Sequence, residues 1–277
     1  MLAIALALGA SLSWGLGDFL GGLKSRTLHV LTVLAISQAA GFAAVFLWLP
    51  VSGDAFPGWG SLAFAAAAGA GGCVGLAALY RGMAVGAMAI VAPLSAVAAA
   101  IPFTVGVASG ERPGVVQVAG ILVALGGVAL ASREPTEQGG RRAAGVGLAL
   151  VAAAGFGAYF VFLDRAASES VPYAVATARG VSSLLAVGAA LAVGASLRPG
   201  ARQLPALAVV GLCDVGANVL FGIASTHGYL SVVSVLSSLY PIVTVALAAV
   251  LLHERIARTQ RLGVAGALVG AAMITAG

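Results

Sequence analysis

Apolar and polar residues along this chain come in long blocks, not in residue-by-residue alternation. Ten apolar runs stand between short polar breaks, at roughly 2–22, 29–51, 60–79, 84–107, 114–131, 143–163, 172–195, 204–223, 229–252 and 259–276. Each run approaches the ~20 apolar residues that a helix needs to cross a bilayer. Membrane strands would need alternating polarity facing a polar lumen. Continuous Ala, Leu and Val suit helices, which satisfy their own backbone groups in lipid. The pattern predicts an all-α membrane protein of ten transmembrane helices. The breaks carry turn chemistry, as in Lys24-Ser25-Arg26, Ser52-Gly53-Asp54, Glu111-Arg112-Pro113, Asp164-Arg165 and Arg198-Pro199-Gly200. The longest and most polar break, Ser132 to Arg142, lies between the fifth and sixth runs.

The runs are written twice. Glu111 opens E-R-P-G-V-V-Q-V-A-G-I-L-V-A-L-G-G, and Glu254 opens E-R-I-A-R-T-Q-R-L-G-V-A-G-A-L-V-G. Carried on to Ala129 and Ala272, eight of nineteen positions match at an offset of 143 residues. Alanine and glycine matches are cheap here, but Glu111/Glu254, Arg112/Arg255 and Gln117/Gln260 are not. Leu6-Ala7-Leu8 likewise matches Leu148-Ala149-Leu150, and Trp14-Gly15 matches Phe156-Gly157, at an offset of 142. The chain therefore divides into a first unit, 1–132, a polar linker, 133–142, and a second unit, 143–277. Each unit holds five helices. Five is odd, so the second unit enters the membrane upside down. Inverted repeats around a central cavity are a transporter signature, with the solute site near the midplane.

Composition agrees. Of 277 residues, 61% are hydrophobic and 8% charged, with a mean hydropathy of +1.07; a soluble domain carries about 25% charged residues. The lipid bilayer must be the main solvent, as for a multi-pass protein of a cell membrane such as the bacterial inner membrane. The net charge of +5 would suggest a nucleic-acid partner in a soluble protein. Here the cations sit in the breaks, where they orient the chain, and no nucleic acid is expected. Breaks on the side opposite the termini hold eleven Lys and Arg residues (Lys24, Arg26, Arg81, Arg133, Arg141, Arg142, Arg198, Arg202, Arg255, Arg258, Arg261), against two, Arg112 and Arg165, on the terminal side. The positive-inside rule then places the linker in the cytoplasm and both termini outside it. The first run lacks the basic start and small-residue cleavage site of a signal peptide and is kept as a mature helix. Nothing in the pattern sets an oligomeric state.

The residues resemble the EamA-type, ten-helix members of the drug/metabolite transporter superfamily. The matching features are Trp14-Gly15, Leu79-Tyr80-Arg81, Ala92-Pro93-Leu94, Phe156-Gly157, Arg179, Leu239-Tyr240-Pro241, and Glu254-Arg255 with Gly263 and Gly270. The resemblance covers the whole chain. It implies two inverted five-helix units and movement of small solutes, often export of metabolites or amino acids. Two departures, Phe156 where the tryptophan would recur and Gln38 opposite Arg179, imply an asymmetric site.

Polar side chains inside apolar runs are the candidates for function, because a charge at the bilayer centre costs about 2.5–3.5 kcal/mol even on a lenient scale. Asp214 and Asn218 share a face of the eighth run, as residues four apart do. Asp214 either lines a cavity or pairs with Arg179 of the seventh run, and the two roles are compatible. Trp14 and Asp18 share a face of the first run. They form either a platform for a planar or cationic group or an interfacial pair at the helix end. Gln38 and Tyr80 are further substrate-binding candidates, or merely bond a neighbouring helix. Pro93 and Pro102 interrupt the fourth run and Pro241 the ninth; Ser95, Thr104 and Thr244 could repair the backbone there. Glu111 and Glu254 read as caps or gate salt bridges at helix ends. Cys73 and Cys213 lie inside apolar runs and read as packed thiols.

His29, His227 and His253 make no metal-ligand spacing, and no phosphate-binding loop is present. Neither a metal, a cofactor nor an enzymatic activity is expected, and energy comes from a gradient or from the solute itself. The leading reading is a secondary transporter exporting or exchanging a small metabolite or amino-acid-like solute by alternating access. An uncoupled sugar or neutral-solute uptake facilitator, a lipid-carrier flippase and a non-transporting scaffold compete with it.

Overall fold

The computed structural model describes residues 1–85, 88–131, 139–252 and 258–276, and all its regular elements are helical. They are α1 (Leu2–Lys24), α2 (Val30–Ser52), α3 (Trp59–Val85), α4 (Met88–Ser95), a 3-10 turn (Ala96–Ala99), α5 (Ala100–Ala108), α6 (Val115–Ala131), α7 (Gly139–Ala167), α8 (Val171–Ala192), α9 (Leu204–His227), α10 (Leu230–Ser237), α11 (Tyr240–Leu251) and α12 (Arg258–Ala276). His253, Glu254, Arg255 and most of the linker lie outside the described residues.

Helix ends follow capping chemistry. His29 Nδ1 accepts from Leu31 N at 3.3 Å to open α2, which closes on Gly53 at φ 75°. Ser170 Oγ accepts from Tyr173 N at 3.4 Å to open α8. At α6, Gln117 Oε1 accepts from Gly114 N at 2.9 Å, so this repeated glutamine holds a helix start. Two expected breaks move. Asp164 and Arg165 are not a turn, since α7 runs on to Ala167; a cation is favourable in a last turn. Arg81 is not in a loop but lies inside α3, exposed.

Seven helices among the described residues are long and apolar enough to cross a membrane: α1, α2, α3, Gly147–Ala167, α8, α9 and the combined stretch Leu230–Leu251. The other three apolar runs appear as shorter helices, Ala96–Ala108, Val115–Leu130 and Arg261–Ile274. The fourth and ninth runs are each broken in two, but not at Pro102 or Pro241. Pro241 sits in the first turn of the segment that follows its break, where a missing N–H costs nothing; Pro102 is the third residue of α5, which follows directly on the 3-10 turn. Pro93 lies within α4. Ser95 Oγ donates to Ala92 O and Thr104 Oγ1 to Ala100 O, both at 2.7 Å. Thr244 Oγ1 donates to Tyr240 O at 3.3 Å and to Gly15 O at 3.1 Å.

Packing pairs the elements across the chain. α1 packs on α9, α3 on α7, α2 on α8 and α6 on α12. Close glycine contacts give the directions. Gly9 faces Leu220 while Gly17 faces Val210, so α1 and α9 run antiparallel. Gly127 abuts Gly263 and Ala267, while Gly120 abuts Gly270 and Ile274. Thus α6 and α12 are also antiparallel, and the residues that meet are the repeated ones. A Cβ on Gly127 would strike the backbone of Gly263 and Ala267; one on Gly270 would strike that of Gly120 and Ala124. Gly15 likewise packs on Val243, and Gly157 on Ile101.

Candidate functional site

Four helices converge where their backbones come closest. A Cβ on Gly211 of α9 would collide with the Ser37 carbonyl of α2, and one on Gly69 of α3 with the Ala178 carbonyl of α8. This approach brings side chains of α1, α2, α8 and α9 to a single carboxylate. Asp214 Oδ1 accepts from Trp14 Nε1 at 3.1 Å and from Asn218 Nδ2 at 3.4 Å. Its Oδ2 accepts from Gln38 Nε2 at 2.9 Å and from Arg179 Nη1. Arg179 Nη1 also donates to Gln38 Oε1 at 2.6 Å. The Arg179–Asp214 ion pair is almost fully buried, its side chains 4% and 10% exposed. Burying two charges is costly, and the attraction offsets it only when hydrogen bonds occupy the remaining lone pairs. The donors from Trp14, Gln38 and Asn218 do so.

The network faces a cavity of about 30 Å³, space for a water molecule or two. Trp14, Asp18, Arg179, Asp214 and Asn218 line it together with Gly72, Leu76, Phe156, Tyr159, Phe160 and Tyr240. Arg179 lies 5.8 Å over the Tyr159 ring. Three buried polar atoms at this place have no partner: Arg179 Nε, Asn218 Oδ1 and the Tyr159 hydroxyl. The cavity is polar enough to hold water and too small for a metabolite as it stands.

The structure brings five of the seven candidate residues to the cavity wall: Trp14, Asp18, Arg179, Asp214 and Asn218. Gln38 stands behind the wall and bridges Arg179 and Asp214. Tyr80 is also behind it, its hydroxyl within hydrogen-bonding reach of Asp18. Gly21 makes room for that phenol, since a Cβ there would overlap it. The aromatic wall of Tyr159, Phe160 and Tyr240 was not among the candidates. Its signal was the spacing of Phe156, Tyr159 and Phe160 on one helical face. Tyr240 joins the two broken segments, its hydroxyl 2.6 Å from Ser95 Oγ. Wall positions also pair by the repeat offset of 142: Trp14 with Phe156, Asp18 with Phe160, Gly72 with Asp214, Leu76 with Asn218.

Glu111 lies away from the cavity. Its Oε1 accepts from Leu230 N at 2.7 Å and its Oε2 from Ser231 N at 3.0 Å. It caps α10, in the other half of the chain, and a carboxylate there also suits the helix dipole.

Multiple helices long and apolar enough to cross a bilayer, packed around a buried polar centre, mark a multi-pass membrane protein. The model of the EamA-like transporter family matches the chain twice, over residues 1–133 and 143–276. The chain belongs to that family, within the drug/metabolite transporter superfamily. No curated protein matches its sequence. A solved crystal structure of a protein 18% identical aligns over 99% of this chain and 96% of that one, with a TM-score of 0.79; that likeness concerns the fold.

Proposed function

We propose that the protein is a secondary transporter that moves a small metabolite, amino-acid-like solutes included, by alternating access through the central cavity. In this reading all ten apolar runs cross the membrane as two inverted five-helix units, 1–132 and 143–277. The bacterial inner membrane suits it, with the linker in the cytoplasm, and the family resemblance favours export. One observation carries the proposal: a hydrogen-bonded Arg179–Asp214 pair on the wall of a central cavity. Lipid-facing packing does not call for such a pair. The antiparallel α6–α12 contact of repeated residues supports the inverted arrangement. Against a flippase stands the lateral groove between α2 and α9. It is lined by Ala44, Val45, Trp48, Val215, Gly216, Val219 and Leu220, with no charged side chain for a headgroup.

The test is a ligand-stabilisation screen of purified protein across metabolite classes, followed by flux of the stabilising solute in proteoliposomes. Wild type should move the solute and Asp214→Asn should not. Equal flux through both proteins would reject the cavity as the path.

A further inference from the structure

The transporter reading leaves one charge in the cavity without a partner. Asp18, Arg179 and Asp214 are the charge-bearing side chains on its wall, and Arg179 is paired with Asp214. Asp18 on α1 is 5% exposed, and among the described residues no cation lies within ion-pair distance of it. The groups around it are the Tyr80 hydroxyl from α3, the Tyr240 phenol from α11 and the Asp214 carboxylate from α9. None brings a positive charge. An ionised Asp18 would leave the cavity with one net negative charge inside hydrocarbon, which is expensive. A proton or a cation must neutralise it.

The walls distinguish what that cation can be. Trp14, Phe156, Tyr159, Phe160 and Tyr240 surround the space with aromatic rings, which attract an organic cation and bind its apolar body. An anion would add to that negative charge, and Arg179, whose Nη1 is held by Asp214 and Gln38, offers it only the open Nε. A zwitterion adds no net charge and leaves the deficit in place. A monocation removes it.

We infer that the solute is a small organic monocation, an amine with an apolar body, and that it exchanges at Asp18 against one proton. The Asp18 O–H bond breaks, the proton leaves to water, and the ammonium group takes its place as an ion pair. The cavity is neutral before and after. This rests on the transporter reading for its purpose, but binding alone tests it.

Four ring-matched probes decide the charge class: benzylamine, benzyl alcohol, benzoate and phenylalanine, titrated calorimetrically into the full-length protein in nanodiscs. Benzylamine should bind tightest and release one proton per molecule, read from the dependence of the heat on the buffer's own ionisation. Its affinity should rise about tenfold per pH unit while Asp18 is protonated in the empty protein. Asp18→Asn, which keeps the shape, should melt no lower than wild type, lose the proton release and weaken benzylamine binding at least about 30-fold. Should that variant fail to fold, the proton count on the wild type decides alone, and Tyr80→Phe should retain the release. The inference is overturned by tighter binding of any other probe, by benzylamine binding without proton release, by an unaffected Asp18→Asn, or by no binding of any probe. Proton-coupled binding without flux would instead sink the transporter reading and leave this one standing. Flux of a neutral or anionic solute would do the reverse.

Discussion

The α6–α12 contact and the central cavity are both built from equivalent positions of the two halves, and they treat that equivalence in opposite ways. At α6–α12 the paired residues are identical: Gly120 with Gly263, Ala124 with Ala267, Gly127 with Gly270. Gly120, Gly127 and Gly270 each lie on backbone of the opposite helix, so a side chain at any of the three would clash. At the cavity the paired positions diverge. Asp18 corresponds to Phe160, Asp214 to Gly72, Asn218 to Leu76 and Trp14 to Phe156. A symmetric cavity would hold either two buried carboxylates at each pair of positions or none. Asymmetry permits one arginine, two differently placed carboxylates and an aromatic wall in a space of about 30 Å³. Backbone contact keeps the scaffold repetitive, whereas the cavity wall is where the repeat is broken.

Breaking the symmetric side should have the largest effect. Gly127→Leu inserts a side chain where backbone sits on backbone. It should destabilise by about 3 kcal/mol or more, seen as loss of monodisperse protein on size exclusion. Gly126→Leu is its control: nothing lies near a Cβ at Gly126, and that variant should be recovered normally.

On the asymmetric side, Asp214→Asn keeps shape but only one accepting oxygen in place of two, and leaves Arg179 unpaired. A loss of about 3 kcal/mol is expected, measured by denaturation in mixed micelles, together with loss of flux. The swapped double variant Asp214→Arg, Arg179→Asp should recover expression but not flux. Recovery of flux as well would mean that the pair only neutralises itself and that its orientation toward the cavity is irrelevant.

Glu111 gives the smallest effect. Glu111→Gln retains one acceptor for the start of α10 and loses the charge, a change of about 1 kcal/mol. The effect on melting should be slight, and solute affinity should not move, because Glu111 is remote from the cavity wall.

These two regions also explain what could be read from the chain alone. The repeat at Glu111 and Glu254 is legible in the Glu-Arg pair and the glutamine that both copies carry; the glycines that match beside them lie on backbone. Trp14, Asp18, Arg179, Asp214 and Asn218 stood out because polar groups are rare in apolar runs. Tyr159, Phe160 and Tyr240 did not, since aromatic residues in a membrane helix look the same whether they face lipid, packing or a cavity. Gly72 and Leu76 carry no chemistry of their own, and only the fold shows them opposite Asp214 and Asn218. Charge does not mark a helix end at Arg81 or Arg165, because a helix carries an exposed arginine without ending.

Alternating access through the cavity is the central claim, and Leu76 offers the most direct way to test it. It lines the wall without belonging to the Arg179–Asp214 network, so Leu76→Cys leaves the ion pair intact. With Cys73 and Cys213 replaced by alanine, that cysteine should react with a membrane-impermeant maleimide applied to right-side-out vesicles and, separately, to inside-out vesicles. The solute found by the ligand screen should slow both reactions. Labelling from one face only, whatever the solute concentration, would contradict the account.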